Sequence, residues 1–246
     1  MTAGASTILV AEPVSLSVLA AERDFNTPWS EVPATLWGAL LETLAMVFFT
    51  SVIVLVVGLI LGVVLHNTSA RESALFTQVR LYAVLDFIVN TGRSLPFLIL
   101  MAFMIPLTRM IVGSSVGIKA AVIPMAIGGI PYFARLVENA LRGQPDEIVR
   151  ASVVAGASKF QAVTTAQLSE SLPSLVGAAT IQVIGLIEFS AVAGAIGAGG
   201  LGNLALAYGY QAFDDHIMLA TVITLIVLVQ MVQLTGNLLA RLTTRP

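Results

Sequence analysis

The sequence predicts an all-α, polytopic membrane protein whose helix bundle has about five transmembrane spans. Of the 246 residues, 57% are hydrophobic and only 11% are charged, whereas soluble domains typically carry about 25% charged residues. Apolar runs long enough to cross a hydrocarbon core of about 30 Å recur along the chain. A soluble fold of this size could not bury so much apolar surface, so the composition indicates an integral membrane protein.

Several kinds of site are excluded by composition. The chain has no cysteine, so disulfides, thiolate metal ligands and cysteine nucleophiles are absent. His66 and His216 stand alone in the sequence, which argues against a histidine metal site. The net charge of −2 gives no indication of a nucleic-acid partner.

The chain divides into an extension, residues 1–35, and a membrane domain, residues 36–246. The extension lacks the basic start and cleavage site of a signal peptide, and we expect it to be flexible or to lie on the membrane surface. The predicted spans cover residues 40–65, 84–104, 116–133, 175–196 and 217–239. Asn90, Arg93 and Pro96 interrupt the second span near its start, and residues 106–115 are predicted to be a short turn.

Orientation follows from the placement of Lys and Arg, which favour the cytoplasmic side. The basic side of a five-span arrangement holds eight such residues: Arg71, Arg80, Arg135, Arg142, Arg150, Lys159, Arg241 and Arg245. The opposite side holds only Arg23, Arg109 and Lys119. The N-terminus is therefore predicted to lie outside, and the C-terminus and the loop of residues 135–173 in the cytoplasm.

A polar loop, residues 144–173, organises the chain, since it is the longest stretch after residue 40 that is too polar to cross a bilayer. Pro145 suits the first position of a helix, and the acidic residues after it suit the positive end of the helix dipole. Gly156 can end that helix in a left-handed conformation. Ser158 and Gln161 have the spacing of a capping box that starts a second helix. The polar loop is thus predicted to be two short helices joined at a glycine, a shape suited to a socket on a soluble partner.

This loop resembles the EAA loop of the inner-membrane permeases of bacterial ABC importers. Within that family, the stretches LLETLAMVF, IVNTGRSLPF, IPLTRMIVGSSVG, PYFARLVENAL and GAIGAGGLGNLALAYGYQ are similar to methionine-importing permeases. The similarity runs from about Trp37 to the C-terminus. The chain departs from the pattern at Arg150, which stands where the family has a glutamate, and a salt bridge from Glu147 to Arg150 is one structural explanation. The residues Ala166–Ser169 replace the Ile-x-Leu-Pro ending of the family, and Pro173 follows.

The resemblance implies a transporter subunit of the bacterial cytoplasmic (inner) membrane and not an enzyme. Its partners would be a second copy, two ATPase subunits, an extracytoplasmic substrate-binding protein and membrane lipid, with methionine, in D- or L-form, as substrate. ATP and Mg would be used by the ATPase, since the 246 residues contain no G-x-x-x-x-G-K-[ST] loop. The implied ATPase-docking residues are Arg150, Ala151, Ser152, Gly156, Ala157, Ser158, Lys159 and Phe160. A simple membrane-surface anchor is the alternative for Lys159 and Phe160.

Glu188 lies about midway along the fourth span, where an ionised acid costs about 2.5–3.5 kcal/mol on insertion scales. One interpretation is that Glu188 lines the passage and meets the ammonium of an amino acid, and the alternative is a protonated acid bonded to a neighbouring helix. Residues assigned to the translocation path or gate are Glu188, Phe189, Ser190, Val192, Gly128 and Gly197. The glycine run from Gly194 to Gly202 is either a bendable outer gate or a close packing of helices.

Three other functions are alternatives to an ATP-driven methionine importer. An ABC permease could carry another amino acid or a small related compound. An ion-coupled secondary transporter would use Glu188 as a proton carrier, but the polar loop has no role there and no inverted repeat is evident. An intramembrane hydrolase is disfavoured because the H-E-x-x-H and G-x-S-x-G motifs are absent.

Overall fold

The computed structural model describes residues 26–71 and 73–244 of the chain. Predictions on residues 1–25, Glu72 and residues 245–246, including the charges of Arg23 and Arg245, lie outside the described residues. Within the described part, four helices are long and apolar enough to cross a membrane, or up to five if one bent pair counts as a span. The prediction of an all-α bundle with about five spans is confirmed.

The described helices follow one another in a single series. They are α1 (Val32–Thr68), α2 (Val79–Ser94), α3 (Phe97–Phe103), α4 (Ile105–Val112), α5 (Ile118–Arg142), α6 (Asp146–Val154), α7 (Lys159–Gln161), α8 (Leu168–Glu170), α9 (Leu172–Ala193), α10 (Gly200–Asn203) and α11 (Asp215–Thr243). Three π-helical segments, Ala162–Gln167, Gly194–Ala198 and Leu204–Gln211, lie between them. The long helices α1, α5, α9 and α11 are the four candidate spans, the third of them continuing to Ala198.

The second predicted span is broken, as its proline suggested. Helices α2 and α3 meet at an angle of 98°. Leu95, which precedes Pro96, has an extended backbone (φ −84°, ψ 128°), because the proline ring disfavours helical geometry in the residue before it. The prediction of a short turn over residues 106–115 was wrong, since α4 occupies Ile105–Val112 and begins with a proline in its first turn. Proline is tolerated there because the amide it lacks would have no partner.

The bundle is organised by the packing of α1 against α5. Gly58 and Gly62 of α1 face Phe133 and Val137 of α5 so closely that a Cβ atom on either glycine would lie within 3.0 Å of the facing side chain. Such contact brings the two helix backbones together, which is how small residues promote association of helices in membranes. Helix α9 packs on the same core through Leu186, which is fully buried.

A buried charge network joins α2 to α5. Glu138 is completely buried and forms ion pairs with Arg135 at 2.5 Å and with Arg142. Arg135 also pairs with Asp86 of α2 at 2.5 Å, and the Tyr82 hydroxyl donates a hydrogen bond to Glu138. Ionic groups removed from water need this degree of pairing to be tolerated. The network therefore fixes α2 against the end of α5 next to the polar loop.

The start of the described chain is tied to the start of α11. The Thr27 amide and hydroxyl both donate hydrogen bonds to the Asp214 carboxylate, at 2.9 and 2.5 Å, and the same carboxylate caps α11 by accepting from the Ile217 amide. The rings of Trp29 and His216 lie 4.3 Å apart. Residues 26–31 thus hold the first span, which begins at Val32, against the last.

These contacts make the docking of residues 26–31 dependent on pH. Burial alone would raise the pKa of the Asp214 carboxyl, but hydrogen bonds from Thr27 and from the Ile217 amide outweigh it, so the pKa is lowered from its ordinary value of 3.8. A lowered pKa stabilises the fold above the ordinary value, and the contribution is lost as pH falls through the folded-state pKa. We expect Asp214→Asn to lower the Tm of the purified protein at pH 7 by about 2–4 °C for each kcal/mol lost. The difference should shrink below pH 3.8, and a difference that is constant with pH would contradict the assignment.

Candidate functional site

The polar loop contains the predicted pair of short helices. Helix α6 ends at Val154, Gly156 has a φ of +90°, and a helical stretch follows from Lys159 to Glu170. The capping box is present, because the Gln161 amide donates to the Ser158 hydroxyl and the Ser158 amide donates to the Gln161 side chain. Helix α6 begins at Asp146, so Pro145 occupies the N-cap and not the first helical position that was predicted.

The turn between the two helices presents an exposed surface. All eight residues predicted to dock an ATPase, Arg150, Ala151, Ser152, Gly156, Ala157, Ser158, Lys159 and Phe160, are exposed or half-buried. Two apolar side chains stand out from this surface, since Phe160 is 75% exposed and Val154 is 88% exposed. Val154 is absent from the predicted docking residues, because in the sequence it reads only as the continuation of an apolar helix face. Exposed apolar side chains on a polar loop are consistent with a contact to another protein or to the membrane surface.

The base of the polar loop is anchored to the foot of α1. The amide groups of Asn67 and Gln167 exchange two hydrogen bonds, of 2.9 and 3.1 Å, and both residues are buried. Gln167 also donates to the Ser73 carbonyl at 2.9 Å. Near the turn, the Lys159 ammonium lies 4.9 Å from the centre of the Phe76 ring, a cation–π contact. The loop therefore connects directly to the first span, which the sequence did not reveal because the partners are 100 residues apart.

A second candidate site is a cavity of about 310 Å³ on the side of α9, lined by Tyr132, Ile181, Gln182, Ile184, Gly185, Glu188 and Phe189. Glu188 is exposed on this wall. The Phe189 ring stacks on Phe97 of α3, with ring centres 3.9 Å apart and planes 1° apart. Gly128 lies behind that stack, since a Cβ on it would be 3.5 Å from each ring.

The structure does not bring all the predicted path residues together. Ser190 is buried and donates its hydroxyl hydrogen bond to the Ile187 carbonyl within its own helix. Val192 is half-buried and does not line the Glu188 cavity. Gly197 lines a different cavity, of about 610 Å³, together with Glu42, Ser114 and Lys119. Gln182 and Tyr132 line the Glu188 cavity and were missed, because a glutamine or tyrosine in an apolar run gives no signal of its direction.

The glycine run contains residues that turn the chain and residues that allow close packing, and the outer gate stays a prediction. Gly197, Gly199 and Gly200 have φ values of +98°, +88° and +76°, which allow the chain to turn. Gly194 instead allows close packing, because a Cβ there would lie 2.5 Å from the Asn203 nitrogen. The turn is held by α1, whose Glu42 carboxylate accepts a hydrogen bond from the Gly200 amide at 2.6 Å and whose Thr43 hydroxyl accepts one from the Leu201 amide at 2.9 Å.

A helical membrane bundle with an exposed, capped loop and a cavity in its wall is the architecture of a transport permease. Residues 58–245 match the family model described as "Binding-protein-dependent transport system inner membrane component", and the chain belongs to this family.

Similar proteins and solved structures support this family membership. The chain is 42% identical over 200 residues to the probable D-methionine transport system permease protein MetI of Vibrio cholerae, covering 81% of this chain and 88% of that protein. It is 45% identical over 153 residues to the D-methionine transport system permease protein MetI of Escherichia coli K12, covering 62% and 70%.

A chain of the inward-facing MetNI methionine ABC transporter superposes with a TM-score of 0.85 at 40% identity, covering 89% of this chain and 100% of that one. An amino acid ABC transporter crystallised with histidines shares the fold, with a TM-score of 0.69 at 17% identity, covering 86% and 95%.

Proposed function

We propose that this chain is the transmembrane permease subunit of an ATP-driven importer and forms the translocation path for methionine. The main support is the structure of the polar loop. Its turn has an exposed surface on which an ATPase could dock, and its base is hydrogen-bonded to the first span. The similarity to D-methionine permeases over four fifths of the chain supports methionine as substrate. Another amino acid remains the alternative substrate.

The proposed assembly contains two copies of this chain, two ATPase subunits and an extracytoplasmic substrate-binding protein. The likeness to a MetNI chain over 89% of this sequence supports the ATPase partner and the pairing of permeases. In this proposal the ATPase binds ATP and Mg and hydrolyses ATP, whereas the permease carries out no covalent chemistry. The docking face lies in the cytoplasm, and the N-terminus outside.

The proposed mechanism is alternating access driven from the polar loop. ATP binding draws the ATPase subunits together, and the loop of each permease moves with the ATPase that holds it. The Asn67–Gln167 bonds pass this displacement to α1, and the bundle reopens to the other side. ATP can shift the equilibrium only to the extent that the two states differ in affinity for it.

The test is uptake of radiolabelled methionine by proteoliposomes that contain the permease, its ATPase and the substrate-binding protein. We expect uptake to require ATP inside the vesicles and to continue when the proton gradient is collapsed. Uphill uptake by the permease alone would refute the proposal, and uptake that follows the proton gradient without ATP would favour an ion-coupled secondary transporter. Competition by unlabelled amino acids distinguishes methionine from other substrates.

A further inference from the structure

Glu188 occupies an unusual position for an acidic side chain. It lies within the span of residues 172–198 and is exposed on the surface of the single chain. Glu188 is not a member of the ion pairs formed by Arg135 and Arg142, and it has no cationic partner within salt-bridge distance in the described part of the chain. Acidic residues inside a membrane almost always face the bundle interior or a water-filled cavity. We therefore expect the cavity beside Glu188 on α9 to face water or another protein chain and not lipid.

The same cavity contains a second group that lacks a donor. Gln182 is only 1% exposed, and its side-chain oxygen accepts no hydrogen bond from any described residue. A buried amide oxygen without a partner is destabilising, because it has lost its hydrogen bond to water and gained none in the protein. Gln182 and Glu188 both line the cavity, so an amide whose oxygen lacks a donor lies in the same wall as a carboxylate, and a ligand that carries several N–H donors would complement both.

The remaining walls suit an apolar side chain. The Phe189 ring, which stacks on Phe97, forms one side of the cavity, and Ile181 and Ile184 contribute aliphatic surface. Ligand cavities typically combine such apolar walls with a few polar groups that fix orientation. An ammonium group has three N–H donors and no acceptor, so it complements both oxygens together with the negative charge of Glu188.

We propose that Glu188 and Gln182 form a recognition site for the free α-ammonium of an amino acid with an apolar side chain, and that Glu188 is ionised and reached by water. This inference rests on the proposed function, because it names the part of the substrate that is read along the path. Such a site would distinguish amino acids from their N-acylated derivatives, which lack the positive charge of the ammonium group.

The absence of cysteine allows a direct test. Gly185 lines the cavity one turn before Glu188, and a Cβ atom there meets nothing within 4 Å, so Gly185→Cys places a single thiol in this chain without a clash. The permease–ATPase complex in nanodiscs is labelled with a cationic (trimethylammonium) or an anionic (sulfonate) methanethiosulfonate, and rates are normalised to those of free cysteine. We expect the cationic reagent to be favoured by about tenfold through the nearby negative charge. Excess methionine should slow labelling, and N-acetylmethionine should not.

The variants separate charge from structure. Adding Glu188→Gln should abolish the preference for the cationic reagent and the protection by methionine, whereas adding the control Glu31→Gln, an exposed acid before α1, should leave both unchanged. Absence of labelling, equal normalised rates, a preference that survives Glu188→Gln, or equal protection by both ligands would each overturn the inference. ATP-dependent uptake by the wild-type complex is measured in parallel. Normal uptake with no charge preference rejects this inference alone, and absent uptake rejects the proposed function.

Discussion

Replacing Glu138 with leucine is expected to lower the free energy of unfolding by about 3–5 kcal/mol, because removal of one member of a buried ionic network leaves the other charges unpaired. Glu138 is fully buried between Arg135 and Arg142. The variant would leave both guanidinium groups without the carboxylate they share, and Asp86 pairs with Arg135 alone. The measurement is the midpoint of unfolding in SDS of the purified permease, followed by circular dichroism.

Two variants control for this experiment. Glu31→Leu removes an exposed acid and should change the unfolding midpoint little, because surface substitutions usually lie within about 0.5 kcal/mol. Adding Arg142→Leu to Glu138→Leu removes one of the unpaired charges, so part of the lost stability should return. If Glu138→Leu and Glu31→Leu unfold at the same midpoint, the network does not hold α2 against α5 as described.

Replacing Gly156 with valine is expected to disconnect the permease from its ATPase without unfolding the bundle. The φ of +90° at Gly156 is one that L-residues rarely adopt, and a Cβ there meets nothing within 4 Å. The penalty therefore lies in the backbone and amounts to about 1–2 kcal/mol. Such a penalty reduces the population of the docking-competent turn by about 5–30-fold. ATP-dependent uptake and copurification of the ATPase should fall together, whereas the free energy of unfolding should fall by no more than this penalty, which is less than the loss expected for Glu138→Leu.

Gly143 provides the matched control, because it is an exposed glycine before the same loop with an ordinary φ of −75°. Gly143→Val should keep uptake and copurification near wild type. Gly156→Asn adds a side chain but tolerates the left-handed conformation, so it should retain more activity than Gly156→Val. Wild-type import by Gly156→Val would refute the role of this turn in docking.

Local chemistry explains which parts of the fold could be predicted from the sequence. The capping box at Ser158 and the left-handed turn at Gly156 depend on residues within three positions of each other, and both are found in the structure. The break before Pro96 likewise follows from the proline and its neighbour. Helix α4 was not predicted, because a proline such as Pro106 is common in turns and equally suits the first turn of a helix.

The contacts that define the candidate sites join distant residues, and periodicity gives no information about them. Nothing in the sequence indicates that Asn67 bonds Gln167 or that Phe97 stacks on Phe189. Glu188 was recognised because a charge in an apolar run has an energetic cost. Gln182 was not, because the direction in which a neutral polar side chain points is set by the neighbouring helices.

The geometry of α1 has a mechanical consequence. Asn67 at one end of this helix is bonded to the polar loop, and Glu42 and Thr43 near the other end are bonded to the glycine turn. At about 1.5 Å per residue, the two attachment points are roughly 36 Å apart along the axis. If α1 tilts as a rigid helix about a point between these attachments, a displacement at one end moves the other end in the opposite direction. Tilting α1 would therefore act on both faces of the membrane at the same moment, without a relay of separate rearrangements between them.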